Sequence, residues 1–144
     1  MLTDISESIE IETDRARVWT ALTAEGLVEQ WLGCMGFRPV VGTLFYMQPD
    51  PAKRESGNVD GATHCELEEL EAPKRVRFSW FMPGTPKTHV TIELADSATG
   101  TLVQLRHSGW EQFNPDDVRA IHAMLAGGWK SNVLPGLKRV AEAA

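Results

Sequence analysis

The amino-acid sequence predicts an α+β fold: an antiparallel sheet crossed by one long C-terminal helix, with two short helices after the first strand. Three observations carry this. Val118, Ile121, Leu125, Trp129, Val133, Leu137 and Val140 recur at helical spacing, giving the end of the chain one long apolar face. Before them, apolar and polar residues alternate with period two in segment after segment. The length of 144 residues fits one domain, 1–144, and folding at this size removes roughly 70% of the unfolded surface from water. A helix with one apolar face that follows a sheet must bury that face on it, and such packing commonly leaves a pocket between the layers.

The elements follow in order. Ile5, Ile9 and Ile11 alternate with Ser6, Ser8, Glu10 and Glu12, which reads as a strand with one buried face. Thr13 or Asp14 caps the next segment, where Val18, Trp19 and Leu22 give a first helix its apolar side. A second short helix runs from about Glu25, with Leu27, Val28, Trp31 and Leu32 inward, and Thr23-Ala24 bends the pair. Trp19 and Trp31 read as core anchors.

From Phe37 the period returns to two, with strand candidates at 37–47, 62–70, 75–82, 88–94 and 102–107. The last four are separated by turn formers: Glu71-Ala72-Pro73-Lys74, Pro83-Gly84-Thr85-Pro86 and Asp96-Ser97-Ala98-Thr99-Gly100. Links this short join antiparallel neighbours, since a parallel return needs a crossover of a dozen or more residues. The stretch 48–61, rich in Pro, Gly and charge, is read as irregular: a mobile flap over an opening or a disordered hairpin tip. In the final helix Asp116 and Asp117 suit the positive end of the dipole, Lys138 and Arg139 the other. Pro135 cannot donate to the Ser131 carbonyl, so a kink is expected there.

Composition excludes several functions. Fourteen Lys and Arg against twenty Asp and Glu give a net charge of −6, and no run of consecutive basic residues is longer than a pair such as Lys53-Arg54 or Lys138-Arg139. Nucleic acid needs a concentrated basic surface and is not an expected partner. No membrane partner is expected either, because no apolar run reaches about 18 residues. The two cysteines, Cys34 and Cys65, lack metal or disulfide spacing, and with no leader pattern the expectation is a reduced cytoplasmic protein.

Specific stretches carry a resemblance. Asp14-Arg15-Ala16-Arg17-Val18-Trp19-Thr20-Ala21-Leu22 and Glu29-Gln30-Trp31-Leu32-Gly33 make the opening. Glu66-Leu67-Glu68-Glu69-Leu70-Glu71-Ala72-Pro73-Lys74-Arg75-Val76-Arg77-Phe78-Ser79-Trp80 makes a central hairpin. His107-Ser108-Gly109-Trp110 and Gly127-Gly128-Trp129 lead into and through the last helix. Together they resemble the helix-grip fold of the birch-pollen-allergen and START (SRPBCC) superfamily. Within it they are similar to the bacterial branch named after the activator of the heat-shock-protein-ninety ATPase. The resemblance implies a curved antiparallel sheet wrapped around the long helix, and either a small hydrophobic ligand, a cochaperone-like role in stress response, or aromatase and cyclase chemistry.

Alternation then assigns faces. Val76, Phe78 and Trp80 point one way, as do Val90, Ile92 and Leu94, and Val103, Leu105 and His107. With Trp110, Met124, Gly128 and Trp129 these make an aromatic, largely apolar lining for a ligand. Phe78, Trp80, Val90, Ile92, Leu105, His107, Trp110, Met124, Gly128, Trp129 and Glu7 are therefore the candidate binding residues. His107 is the inward polar group of greatest interest, because imidazole both donates and accepts near neutral pH. Glu7 shares the parity of its isoleucine neighbours and would need a partner such as His107 if buried.

Catalytic signatures are missing: no Gly-x-Ser-x-Gly, no phosphate-cradling loop and no dinucleotide fingerprint. His64, His89, His107 and His122 lack ligand spacing, so neither a metal nor a cofactor is expected. The leading expectation is non-catalytic binding of a small hydrophobic or aromatic molecule between helix and sheet. A cochaperone-like module, with a chaperone or a second copy as partner, is the alternative, and a polyketide cyclase-like enzyme using His107, Glu7 or Tyr46 comes after it.

Overall fold

The computed structural model describes residues 2–143. The chain begins with β1 (Ile5–Ile11), then α1 (Arg15–Thr23) and α2 (Glu25–Leu32). Asp14 caps α1, its carboxylate accepting from the Arg17 N–H at 2.8 Å. Ala24 ends α1 and begins α2, and the Trp31 indole donates to the Ala21 carbonyl at 2.8 Å, so the two helices form one bent unit. Gly33, at φ 70°, stops α2.

The strands β2 (Cys34–Met35), β3 (Leu44–Met47), β4 (Thr63–Glu71), β5 (Arg75–Trp80), β6 (Thr88–Ser97) and β7 (Gly100–Ser108) complete the sheet. Among the described residues seven strands make one antiparallel sheet, ordered β1-β7-β6-β5-β4-β3-β2. An extra residue, Glu68, bulges from β4 between Leu67 and Glu69 and helps the sheet curl. Glu68 accepts from Arg77 Nε at 3.4 Å and lies 2.7 Å from His89 Nδ1. Gly100, at φ 151°, lets the β6–β7 turn pass beside the end of β1. A Cβ there would run into the Ile11 carbonyl and lie 2.8 Å from the Thr13 nitrogen and oxygen.

The expected strand at 37–47 is corrected by the structure. Only Leu44–Met47 pairs there, and the short β2 precedes it. Pro39 has no N–H for a ladder, and Gly42, at φ 93°, turns the chain, with Thr43 N–H donating to the Val40 carbonyl at 3.1 Å. The stretch 48–61 is corrected too, because it holds a helix, α3 (Pro51–Ser56). Asp50 caps it at 2.9 Å from Ala52 N, Pro51 opens it and Gly57, at φ 75°, closes it.

The final rod is α4 (Pro115–Gly128), a π-helical segment (Trp129–Val133) and α5 (Leu134–Ala143). Just before Pro135, where the sequence predicts a kink, the rod has a widened turn in which Leu134 N–H reaches back to the Trp129 carbonyl. Past that wide turn the buried positions are Leu134, Leu137 and Ala141, with Trp129 before them, so Leu137 is buried as expected while Val133 and Val140 are only partly so. Gly136 is where α5 comes closest to α2, since a Cβ there would lie 3.6 Å from Trp31.

The two halves of the rod pack differently. α5 lies on α1, α2 and β1, and its apolar side chains join Phe45, Leu67, Phe78, Ile92, Val103 and Leu105 in one buried core. α4 touches β1 and buries only Val118; Ile121 and Met124 stand 48% and 67% exposed. The rod therefore grips the sheet with its second half and stands away from it with its first.

Candidate functional site

The space left by α4 is a cavity of about 590 Å³, within the range of small-molecule pockets. One wall is α4, with Val118, Ile121, Met124 and Leu125, joined by Trp110 and Phe113 from the segment before it. A second comes from the sheet: Trp80, Phe81, Met82 and Thr88, with the Thr85-Pro86 turn. The third is Leu32 and Gly33 at the end of α2, Met47 at the end of β3 with Gln48 and Pro49 after it, and Arg54 of α3.

Gln48 fixes this third wall. It is almost fully buried, and its amide Nε2 donates to the carbonyls of Asn58 at 3.0 Å and Asp60 at 2.9 Å. Its Oε1 accepts from the Asp50 N–H at 3.2 Å. One side chain thus satisfies backbone groups at both ends of the 48–61 segment and holds α3 beside the opening.

Beneath the Trp80 wall lies His107, fully buried and ringed by three tryptophans. Ring centroids are 5.8 Å from Trp80, 4.8 Å from Trp110 and 6.0 Å from Trp129, and Trp80 meets Trp129 edge-on at 5.3 Å. The hydrogen bonds here set the tautomer. An indole N–H only donates, so Trp129 Nε1, 3.2 Å away, makes His107 Nδ1 the acceptor. The proton therefore sits on Nε2, which donates to Thr88 Oγ1 at 2.7 Å, and the Thr88 hydroxyl in turn donates to the Trp80 carbonyl at 2.6 Å. Trp110 Nε1 adds a bond to the His107 carbonyl at 3.1 Å. Burial, reinforced by His122 and His89, pushes the imidazole down to about 3. A proton added at Nδ1 would face the Trp129 N–H, so the same network that orients the ring keeps it neutral.

The expected lining divides in two. Trp80, Trp110 and Met124 face the cavity. Phe78, Val90, Ile92 and Leu105, on the inward face of the sheet, and Trp129, on the rod, lie in the buried core beneath. His107 is likewise behind the wall rather than in it. Gly128 is partly exposed, and neither it nor Gly127 would bring a Cβ within 4 Å of a neighbour, so close helix–sheet approach does not explain the glycines. Glu7 sits opposite Leu105 on β1, away from the cavity walls. The expected Glu7–His107 pair does not form, since Thr88 and Trp129 take both ring nitrogens.

Sequence reasoning missed Arg54, Gln48, Phe81 and Phe113. For Arg54 a signal existed: Asp50-Pro51 starts a helix and Gly57 stops one, which places Arg54 on a short ordered turn. For Phe113 and Gln48 nothing local marks the contact.

Comparison with known proteins agrees with this architecture. Residues 12–142 match the profile of the family described as Activator of Hsp90 ATPase homolog 1-like protein. The crystal structure of protein MLL2253 from Mesorhizobium loti is similar at 25% identity and a TM-score of 0.78, covering 99% of this chain and 98% of that one. The solution structure of BH1534 from Bacillus halodurans is similar at 24% identity and a TM-score of 0.71, covering 97% of each. DynU16, from the dynemicin biosynthetic locus, shares the fold at 21% identity and a TM-score of 0.72, over 96% of this chain and 47% of its own. No curated protein matches the chain.

Proposed function

The chain belongs to the Activator of Hsp90 ATPase homolog 1-like family, and from that premise we propose that it is a binding module. It holds a small hydrophobic or aromatic molecule, without transforming it, in the cavity between α4 and the sheet. The observation that carries this reading is the cavity itself: about 590 Å³ walled mainly by apolar and aromatic side chains, beside a helix whose Ile121 and Met124 are left uncovered. Transfer of an apolar molecule from water onto such walls is favourable by about 25 cal/mol per Å² of surface covered.

Acid–base chemistry has less support. His107 is neutral, doubly hydrogen-bonded and walled off by tryptophans, and Glu7 and Tyr46 are not among the described residues that line the cavity. A cochaperone-like reading draws on another surface, the turn before β3 and the strand's first residue, where Val40, Val41 and Leu44 are strongly exposed. Replacing Val41 and Leu44 with serine should abolish any stimulation of a chaperone ATPase while leaving cavity binding unchanged.

The cavity reading is tested by titration with the neutral fluorophore N-phenyl-1-naphthylamine. Saturable fluorescence enhancement is expected, and Ile121→Asp, at a half-exposed wall position, should weaken it at least tenfold (about 1.4 kcal/mol) with unchanged circular dichroism. No saturable binding, or equal binding by the variant, overturns the reading.

A further inference from the structure

Resting on that reading, we infer that the cavity selects an amphiphile with an apolar body and one anionic head group, and that Arg54 receives the head. Arg54 is the one charged residue among the described residues lining the cavity. It is partly buried, and no carboxylate among the described residues pairs with it, whereas all other observed ion pairs use different cations. Other cations of the chain also lack an ion pair, but Arg54 is the one set among the apolar side chains of the cavity. Partly desolvating a guanidinium without a counter-charge is unfavourable, and an incoming anion reverses that.

The remaining polar side chains of the lining are already committed. Gln48 uses both ends of its amide on the backbone. Thr85 donates to the Met82 carbonyl, Thr88 to that of Trp80, and Thr63 points its hydroxyl at the Met82 sulfur. Among the described residues that line the cavity, the side-chain donors left without a protein partner are the Arg54 guanidinium and the Trp80 indole N–H. A wall whose spare groups are donors recognises an acceptor, and a planar guanidinium fits a carboxylate or phosphate with two parallel bonds.

The backbone that carries Arg54 is also held in place. Capping by Asp50 and Gly57 fixes the backbone of α3. The guanidinium lies over Gly33, where a Cβ would be 3.8 Å from Nη1, so the end of α2 leaves it room. The backbone carrying Arg54 is thus set at the rim of the cavity before ligand arrives, and its side chain is free to turn to a head group.

Competition against N-phenyl-1-naphthylamine tests the inference with decanoate, decyl phosphate and decanol, in the wild type, Arg54→Met and Arg54→Lys. Arg54→Met keeps the apolar stem and removes the charge. At least one anion should compete at least tenfold better with the wild type than with Arg54→Met (about 1.4 kcal/mol), with Arg54→Lys between them, and decanol should not distinguish the three. Whichever anion gains more identifies the head group as carboxylate or phosphate. If decanol and the fluorophore bind but neither anion gains from Arg54, the inference fails and the apolar cavity stands. If nothing binds, the cavity reading fails and takes this inference with it.

Discussion

Replacing His107 with leucine removes the one buried imidazole while keeping its approximate volume, and the consequence should depend on pH in a calculable way. In the folded protein His107 titrates at about 3, against 6.5 when free. The folded value is the lower one, so the unfolded chain takes up the proton first. The neutral imidazole's contribution is therefore fully present above pH 6.5 and lost as pH falls toward 3, at up to about 1.4 kcal/mol per pH unit. By about pH 5 the wild type should have lost roughly 2 kcal/mol, and across the whole window about 5 kcal/mol, comparable with the entire stability of a small domain. His107→Leu lacks this dependence but carries a constant penalty of about 1–3 kcal/mol, because the buried Trp129 N–H loses its acceptor. Urea unfolding followed by tryptophan fluorescence at a series of pH values should show the wild type more stable near neutrality and the two curves converging near about pH 5. Parallel curves down to about pH 4 would refute the reasoning, since His107 would then titrate alike in both states.

Further substitutions probe other parts of the fold. Leu134→Ala should cost about 2–5 kcal/mol and Val133→Ala about 1 kcal/mol, read by urea midpoints; the reverse order would show that the π-segment does not turn Leu134 inward. Gly100→Ala should destabilise by about 2–4 kcal/mol, from its positive φ and the blocked Ile11 carbonyl. Gly136→Ala, with only ordinary contacts on Trp31, should be within about 1 kcal/mol of wild type, and equal thermal midpoints for the two glycine variants would contradict this. Burial, with Glu29 adding to it, pushes the Cys34 thiol up to about 12, and burial holds Cys65 well above its usual range. Iodoacetamide should therefore label both only as fast as the protein unfolds, and rapid labelling of either in the native state would speak against that placement.

Much of the architecture was legible because it is written in short-range periodicity. The alternation of 5–11 and the stripe from Val118 report which side of an element is apolar, and the turn formers after β4, β5 and β6 report where the chain reverses. Burial of apolar surface leaves few ways to assemble such elements. The resemblance in 14–22, 29–33 and 66–80 narrowed these to the helix-grip arrangement, which the sheet order and the final rod bear out.

What periodicity assigns is a face, not what covers it. Phe78, Ile92 and Leu105 point inward as read, yet whether that face meets α5 or empty space depends on how far along the sheet the rod lies, which no local pattern encodes. The burial of Leu134, with Val133 only partly covered, likewise goes with the widened turn of the packed rod and is not marked in the stripe itself. Arg54, Leu32 and Phe113 stand far apart in sequence and share a cavity only because the chain closes around it. The sequence by itself determined which surfaces had to be buried, through hydrophobicity at fixed spacing. Only the tertiary structure decided where burial stops, because a cavity is a property of distances between elements and those are set by the packing of the whole.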